Sequence, residues 1–360
     1  MTAEQKKQDV QKFLISRKTT VRDAMKKMKE IGQKVIFVVN DDNTLFGSLS
    51  DGDIRKWIIQ EGALNENIEK ICNTSPHIVN EDYDISEVKA LMIGLKIECV
   101  PVIDSGREIV SILTWDSVFA GEVPKQKEQL DIPVVIMAGG KGTRLDPFTR
   151  ILPKPLIPIG DKPIIEMIVE RFLEYGVNEF YLSINHKAKM IKSYFEEIEP
   201  AYQLRYIEEQ NPLGTAGSLK LLKDKIKSPF IVTNCDIIVE SDYSEIVKYH
   251  KDNNNDLTVV VSCRHYTIPY GVCEIRNGGI LEEIKEKPKY DLLVNTGMYV
   301  LNSNLLELIP ADQVYHITDL IKAAKAKGFK IGVFPIDEKS WIDIGQWEEY
   351  RKAVASLKID

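Results

Sequence analysis

The chain has 360 residues, more than one hydrophobic core usually spans, so two domains are the natural expectation. Its composition, 44% hydrophobic and 28% charged, is that of an ordinary soluble protein. The net charge of -7 argues against nonspecific binding to nucleic acid or to anionic membranes, so an anionic ligand has to be caught by a local basic cluster.

At the N-terminus, "MTAEQKKQDVQKF" carries no apolar signal core, and no later run approaches the ~18 apolar residues of a membrane span. Cys72, Cys99, Cys235, Cys263 and Cys273 show no paired spacing, and the histidines are scattered, which argues against a disulfide framework or a zinc site. A reducing cytoplasm is the expected compartment.

The first third contains an internal repeat. A shift of 64 aligns Val21 with Ile85, Met28 with Met92, Val38 with Val102 and Leu49 with Leu113, without a gap from Thr20–Ile54 against Asp84–Val118. Each copy predicts an amphipathic helix ("VRDAMKKMKEIG", "ISEVKALMIGLK"), an apolar strand ("VIFVV", "CVPVI"), a second strand ("LFGSLS", "EIVSIL") and a short closing helix. Packed as a pseudo-dimer, the copies (about 10–60 and 75–120) would bury the faces that one copy leaves exposed. This α+β region, 1–122, resembles a pair of CBS domains. The resemblance implies an adenosine nucleotide held by a Ser/Thr-x-x-Asp turn, which the first copy keeps as Ser50 and Asp53. In the second copy Asp53 aligns with Ser117, so at most one ribose clamp is expected. A role in dimerisation or stability stays open beside ligand sensing.

The polar segment "AGEVPKQKEQLD" reads as a linker, placed at 123–131. Beyond it, over 132–360, strands ("IPVVIMA", "NEFYLSIN", "QLRYI", "PFIVTNC", "DLTVVVS") alternate with amphipathic helices ("KPIIEMIVERFLEYG", "HKAKMIKSYFEEI", "AGSLKLLKDK", "YSEIVKYHKDN"). That rhythm predicts an α/β, Rossmann-like domain with a mainly parallel sheet, whose ligands sit at the carboxyl ends of the strands.

The first of those strands runs straight into "GGKGTR". Gly139, Gly140 and Gly142 allow backbone N–H groups to form an anion-binding nest, and Lys141, Arg144 and Lys154 add donors suited to phosphates. A P-loop is excluded because Lys141 is followed by Gly142, and a dinucleotide fingerprint because Leu145 stands three after Gly142. On the glycines alone, a tight βα turn remains an equal reading.

The longer stretch "AGGKGTRLDPFTRILPKPLIPIGDKPIIE" resembles the signature of sugar-1-phosphate nucleotidyltransferases. "NPLGTAG", "TNCDI", "EKP", "NTGMYVL" and "WIDIG" follow in the family's order, over roughly 132–350. The resemblance implies attack of a sugar-1-phosphate oxygen on the α-phosphorus of a nucleoside triphosphate, releasing pyrophosphate, with Mg²⁺ held by Asp236 and Asp343. It assigns Arg144, Lys154 and Lys287 to the phosphates. Ala138, Gly139, Gly140, Gly142, Thr143, Glu209, Gly214 and Thr215 are expected around the nucleotide, and Gly271, Glu286 and Asn295 around the sugar.

Relatives using thymine or uracil commonly carry glutamine where this chain has Glu209. A carboxylate only accepts hydrogen bonds, and guanine offers it adjacent N1–H and N2–H₂ donors, so GTP is favoured. Glu208, one residue away, leaves the register open. The combination of domains points to bacterial enzymes making GDP-amino-sugars for legionaminic-type glycans. Glucosamine 1-phosphate is the leading substrate, with mannose- and heptose-1-phosphate, or uridylyl and thymidylyl transfer, behind it. A homo-oligomer is expected. A glycosyltransferase would need an Asp-x-Asp motif that "NCDII" lacks, and a degenerate nucleotide-sensing regulator would have lost phosphate or metal residues that are present.

Overall fold

The computed structural model describes residues 10–95, 97–119, 127–345 and 347–356. The chain divides into two compact units, residues 1–126 and 127–360. Of the expected linker, 123–126 lie outside the described residues, while Leu130 is buried in the second unit and donates its N–H to Tyr175 O at 2.8 Å.

The first unit carries the repeat element by element. Strand β1 (Leu14–Ser16), helix α1 (Val21–Ile31), strands β2 (Val35–Val39) and β3 (Leu45–Ser50) and helix α2 (Asp51–Ile59) form the first copy. Strand β4 (Val79–Asn80), helix α3 (Ile85–Leu95), strands β5 (Cys99–Ile103) and β6 (Ile109–Thr114) and helix α4 (Trp115–Phe119) form the second. Both antiparallel ladders shift register at the same place, between Val38 and Val39 and between Val102 and Ile103. Such bulges are built features of a strand pair rather than accidents, and their recurrence marks one supersecondary unit used twice. Phe37, Val39 and Leu45 of one copy and Cys99, Ile103 and Ile109 of the other share one buried cluster, which is how each copy hides its open face.

Ser50 caps α2 in a reciprocal box: its hydroxyl accepts from Asp53 N–H while the Asp53 carboxylate accepts the Ser50 N–H at 2.8 Å. Thr114 and Ser117 occupy the equivalent positions, and there two hydroxyls exchange the bonds (Thr114 N–H to Ser117 Oγ, 2.9 Å). The aligned serine thus retains the cap and loses the carboxylate.

In the second unit, seven strands form one sheet: β7 (Val134–Met137), β10 (Glu179–Ile184), β11 (Gln203–Glu208), β12 (Phe230–Asn234), β14 (Leu257–Thr267), β17 (Lys289–Leu301) and β18 (Ile331–Ile336). Their order across the sheet is β11-β10-β7-β12-β17-β14-β18. All neighbours are parallel except β17, which runs antiparallel to β12 and β14. Val134 and Ile136 point into one core cluster and Val135 into the other, so a strand apolar at every position is buried on both faces. Smaller pairs complete the unit: β8 (Pro158–Ile159) with β9 (Lys162–Pro163), β13 (Ile237–Val239) with β19 (Trp341–Asp343), and β15 (Val272–Ile275) with β16 (Leu281–Lys285).

Helices α5 (Phe148–Ile151), α6 (Ile164–Leu173), α7 (Ala188–Ile198), α8 (Tyr243–Asp252), α9 (Ile317–Ala326) and α10 (Trp347–Ser356) cover the sheet and its loops. One expectation is corrected: "AGSLKLLKDK" forms a short 3-10 turn, Gly217–Leu222, rather than an α-helix. The N–H groups of Ala216 and Gly217 both bond to Tyr315 O, which commits the start of the segment to a long-range partner.

His250 on α8 is 2% exposed, with Nδ1 2.9 Å from Thr258 Oγ1 and Nε2 3.1 Å from Asn302 Oδ1. An amide oxygen only accepts, so Nε2 carries a proton, and Nδ1 can accept from the Thr258 hydroxyl. Burial holds its pKa below the usual 6.5. A histidine whose folded pKa is depressed contributes full stability above the unfolded value and loses it as pH falls towards the folded one. Unfolding free energy is therefore expected to fall, by at most about 1.4 kcal/mol per pH unit, as urea titrations move below pH 6.5. His250→Gln should flatten that slope, and an unchanged slope would contradict the assignment.

Candidate active site

Strands β7 and β12 are adjacent and parallel, and the chain leaves β7 towards β10 on one side and returns to β12 on the other. Their carboxyl ends therefore open a crevice at a topological switch point. Ala138 to Gly142 leave the end of β7, and Cys235 and Asp236 leave the end of β12. Ala138 is anchored by its N–H to Ser183 O at 2.8 Å, and Gly142 takes a left-handed φ of +68° to start the 3-10 turn Thr143–Leu145. Gly140, Lys141, Thr143 and Arg144 are exposed along this loop.

Lys154 begins the 3-10 turn Lys154–Leu156, flanked by Pro153 and Pro155, whose fixed φ lowers the entropy lost in aiming it. It is buried, and its ammonium donates to Asp236 Oδ2 in an ion pair with side chains only 11% and 9% exposed. Asp343 reaches the same place through the β13–β19 ladder. Ile237 pairs with Asp343, and Ile344 N–H bonds to Asp236 O at 2.8 Å.

Gly345 marks where the groups converge. A Cβ there would lie 2.6 Å from Asp236 Oδ2, 2.9 Å from Asp343 Oδ1 and 3.3 Å from Arg144 Nη2. The Gly345 N–H donates to Asp343 Oδ1 at 2.8 Å. The Asp343 carboxyl is pushed above its ordinary range, chiefly by burial, with the Gly345 N–H opposing and the neighbouring Asp236 charge adding to the rise. The cleft beside them, about 220 Å³, is lined by Arg144, Asn234, Asp236, Asn295, Trp341 and Asp343 among others. Asn295 Nδ2 donates to Tyr299 Oη at 2.7 Å, and its Oδ1 accepts Gly297 N–H at 3.1 Å.

Glu209 lies on the other side of the glycine loop. A Cβ at Gly139 would stand 3.0 Å from Glu209 Oε1, so the carboxylate borders the loop directly. It is 8% exposed, whereas Glu208 is exposed and paired with Lys192 at 2.6 Å. Of the two, Glu209 is the one whose carboxylate borders the glycine loop. Gly214 has φ +81°, and Thr215 Oγ1 accepts Ile317 N–H at 3.0 Å, satisfying an orphan donor at the start of α9. Gly271, Glu286 and Lys287 lie outside the cleft lining. Glu286 and Lys287 are exposed in the turn after β16, where Lys287 N–H meets Tyr270 O at 3.3 Å. The cleft also includes Asn234 and Trp341, which sequence reasoning did not single out. The Trp341 indole N–H is buried and finds no hydrogen-bond partner among the described residues.

The second unit is thus an α/β domain in which a glycine loop, two carboxylates and basic groups come together at a topological switch point. The nucleotidyl transferase family model matches residues 133–358 and the CBS domain model matches 11–60 and 68–121, so the chain belongs to the nucleotidyl transferase family. Relatives include mannose-1-phosphate guanylyltransferase 1 of Arabidopsis thaliana, 33% identical over 226 residues, 60% of this chain and 62% of that one. A second is the mannose-1-phosphate guanyltransferase of Saccharomyces cerevisiae, 31% identical over 231 residues with the same shares. The match thus spans about 62% of their length. The crystal structure of HddC from Yersinia pseudotuberculosis superposes with a TM-score of 0.50 at 29% identity, covering 63% of this chain and 100% of that one. No helix among the described residues is long and apolar enough to cross a membrane.

The two carboxylates should behave oppositely when neutralised. Asp236→Asn leaves a buried ammonium without its partner and is expected to cost about 3 kcal/mol in chemical denaturation. Asp343→Asn removes a charge that the fold holds at a cost. A carboxyl with a raised folded pKa loses stability as pH rises through its titration, so this variant should be at least as stable as wild type at pH 7 without added metal. Equal losses in both variants would contradict the asymmetry.

Proposed function

We propose that the protein transfers a nucleotidyl group, guanylyl in the favoured reading, from a nucleoside triphosphate to a sugar 1-phosphate. A phosphate oxygen of the sugar 1-phosphate bonds to the α-phosphorus, the bond to the bridging oxygen breaks, and pyrophosphate leaves with that electron pair. The observation that carries this is the convergence of Asp236, Asp343 and Arg144 on Gly345, at the carboxyl edge beside the glycine loop. Two polyanions must meet here, so positioning and charge neutralisation do most of the work.

Among the described residues no three His, Cys, Asp or Glu side chains cluster as a complete metal cage. The donor set nevertheless fits Mg²⁺, which commonly takes one or two carboxylates and completes its shell with phosphate oxygens and water. Asp236 and Asp343 would hold it, and the ion supplies neutralisation and polarisation of phosphate oxygens. Arg144 offers a fixed fork of donors at the cleft, and the glycine loop adds backbone N–H groups. Lys154 keeps Asp236 oriented and brings a positive charge to the phosphates. Asn295 lines the same cleft, which supports a place for it near the sugar. Glu286 and Lys287, from the β16–β17 turn, and Gly271, from the β14–β15 turn beside Glu286, belong to this reading as groups that would approach the sugar 1-phosphate.

Glu209, buried against Gly139, supports guanine as the base, and the names of the relatives point the same way. Those names support mannose 1-phosphate at least as well as glucosamine 1-phosphate. For the N-terminal pair, Ser50 and Asp53 support at most one adenosine nucleotide site. Cytoplasmic location remains part of the reading.

Pyrophosphate release across GTP, UTP, dTTP and ATP, against mannose, glucosamine and heptose 1-phosphates, tests it. GTP should give the highest kcat/KM, and a pyrimidine preference would overturn the base assignment. Gly345→Ala should lower kcat about a hundredfold, because its methyl has no room between the two carboxylates. Near wild-type turnover in that variant would remove the site from the reaction.

A further inference from the structure

One buried polar chain behind the glycine loop has no part in the phosphate chemistry. Ser183 on β10 and Ser218 in the 3-10 turn are fully buried, and Glu209 is 8% exposed. Ser183 Oγ lies 2.6 Å from Glu209 Oε1 and 2.8 Å from Ser218 Oγ. Leu213 N–H donates to Glu209 Oε2 at 2.8 Å, and Asn185 Nδ2 donates to the Glu209 carbonyl at 2.6 Å.

The direction of this chain follows from proton counting. A hydroxyl has one proton, a carboxylate only accepts and a backbone N–H only donates. Ser183 must therefore give its proton to Glu209 Oε1, and Ser218 must donate to Ser183. Both carboxylate oxygens are then held, one by Ser183 and the other by Leu213. Each oxygen keeps a further lone pair, so a ligand donor can still be accepted by a side chain that no longer swings. A glutamine at this position has to turn its amide oxygen to Leu213 and its NH₂ to Ser183, which forces the serine chain to reverse.

We infer that Ser183, set by Ser218, is a positioning residue for base selection: it fixes the Glu209 carboxylate beside Gly139 so that it accepts from a purine carrying an N1–H and an exocyclic 2-amino group. The inference rests on the reading of Glu209 as the base-contacting residue. Ser183 does not touch the nucleotide, so its loss acts on discrimination through Glu209 and leaves the phosphate end of the site alone.

The test is kcat/KM of the full-length protein for GTP and for ITP, which lacks the 2-amino group, with a sugar 1-phosphate in excess. Wild type should prefer GTP by about tenfold. Ser183→Ala should erase most of that ratio, through a raised KM for GTP with kcat held and a smaller rise for ITP, which keeps the N1–H. Ser218→Ala should do the same to a lesser degree, and it decides the matter if Ser183→Ala fails to fold by circular dichroism. Adding Ser183→Ala to Glu209→Gln should bring no further loss of the ratio. Equal losses for GTP and ITP in the serine variants, or losses that multiply in the double variant, would overturn the positioning role while Glu209 stands. If wild type ignores the 2-amino group and Glu209→Gln changes nothing, the Glu209 reading fails and the positioning role falls with it.

Discussion

The Lys154–Asp236 ion pair ties the site to the fold. Its partners are 82 residues apart, one on the stiff Pro-Lys-Pro turn and one at the end of β12, and both are buried. Removing two charges from water is expensive, and their mutual attraction roughly offsets that cost only when the geometry is good. Such a pair is a poor source of stability, yet it is a strict constraint on position. It fixes the Asp236 carboxylate at the mouth of the crevice, and Gly345 can pass between that carboxylate and Asp343 only because it has no side chain.

The remaining groups follow from this arrangement. The β13–β19 ladder pairs Ile237 with Asp343, which brings the second carboxylate against the first. Burial makes the charge on Asp343 costly, and Asp236 adds to the cost. Arg144 and Lys154 already lie beside these carboxylates and offset part of that cost. The same logic appears on the other side of the loop with the opposite solution. There Glu209 is matched by a hydroxyl and a backbone N–H, so it is satisfied within the fold and held still.

Much of this was legible from residues alone, for identifiable reasons. The repeat was visible because each copy keeps its apolar spacing, and the structure repeats even the bulge in each ladder. The alternation of strands and helices gave the parallel sheet because buried parallel strands such as "VVIM" are apolar at every position. The length of β17 was not legible: its first residues, Lys289 to Leu293, are mostly exposed and lack the alternation that marks a strand. Nor was the 3-10 turn at Gly217, whose helical pattern yields to a distant partner, Tyr315. Asp236 and Asp343 were assigned from family resemblance, since nothing local distinguishes them from capping residues. The Ser218–Ser183–Glu209 chain left no signal at all, because a serine in "YLSIN" acquires its meaning only from two segments that the sheet brings to it.

The central claim is that Asp236 and Asp343 together form a site for one divalent cation. Mn²⁺ binding followed by electron paramagnetic resonance on the full-length protein, with and without GTP, tests it most directly. The account predicts a site that tightens with the triphosphate and is lost in Asp343→Asn, a variant that remains folded. Unchanged Mn²⁺ affinity in that variant, with the triphosphate present, would contradict it.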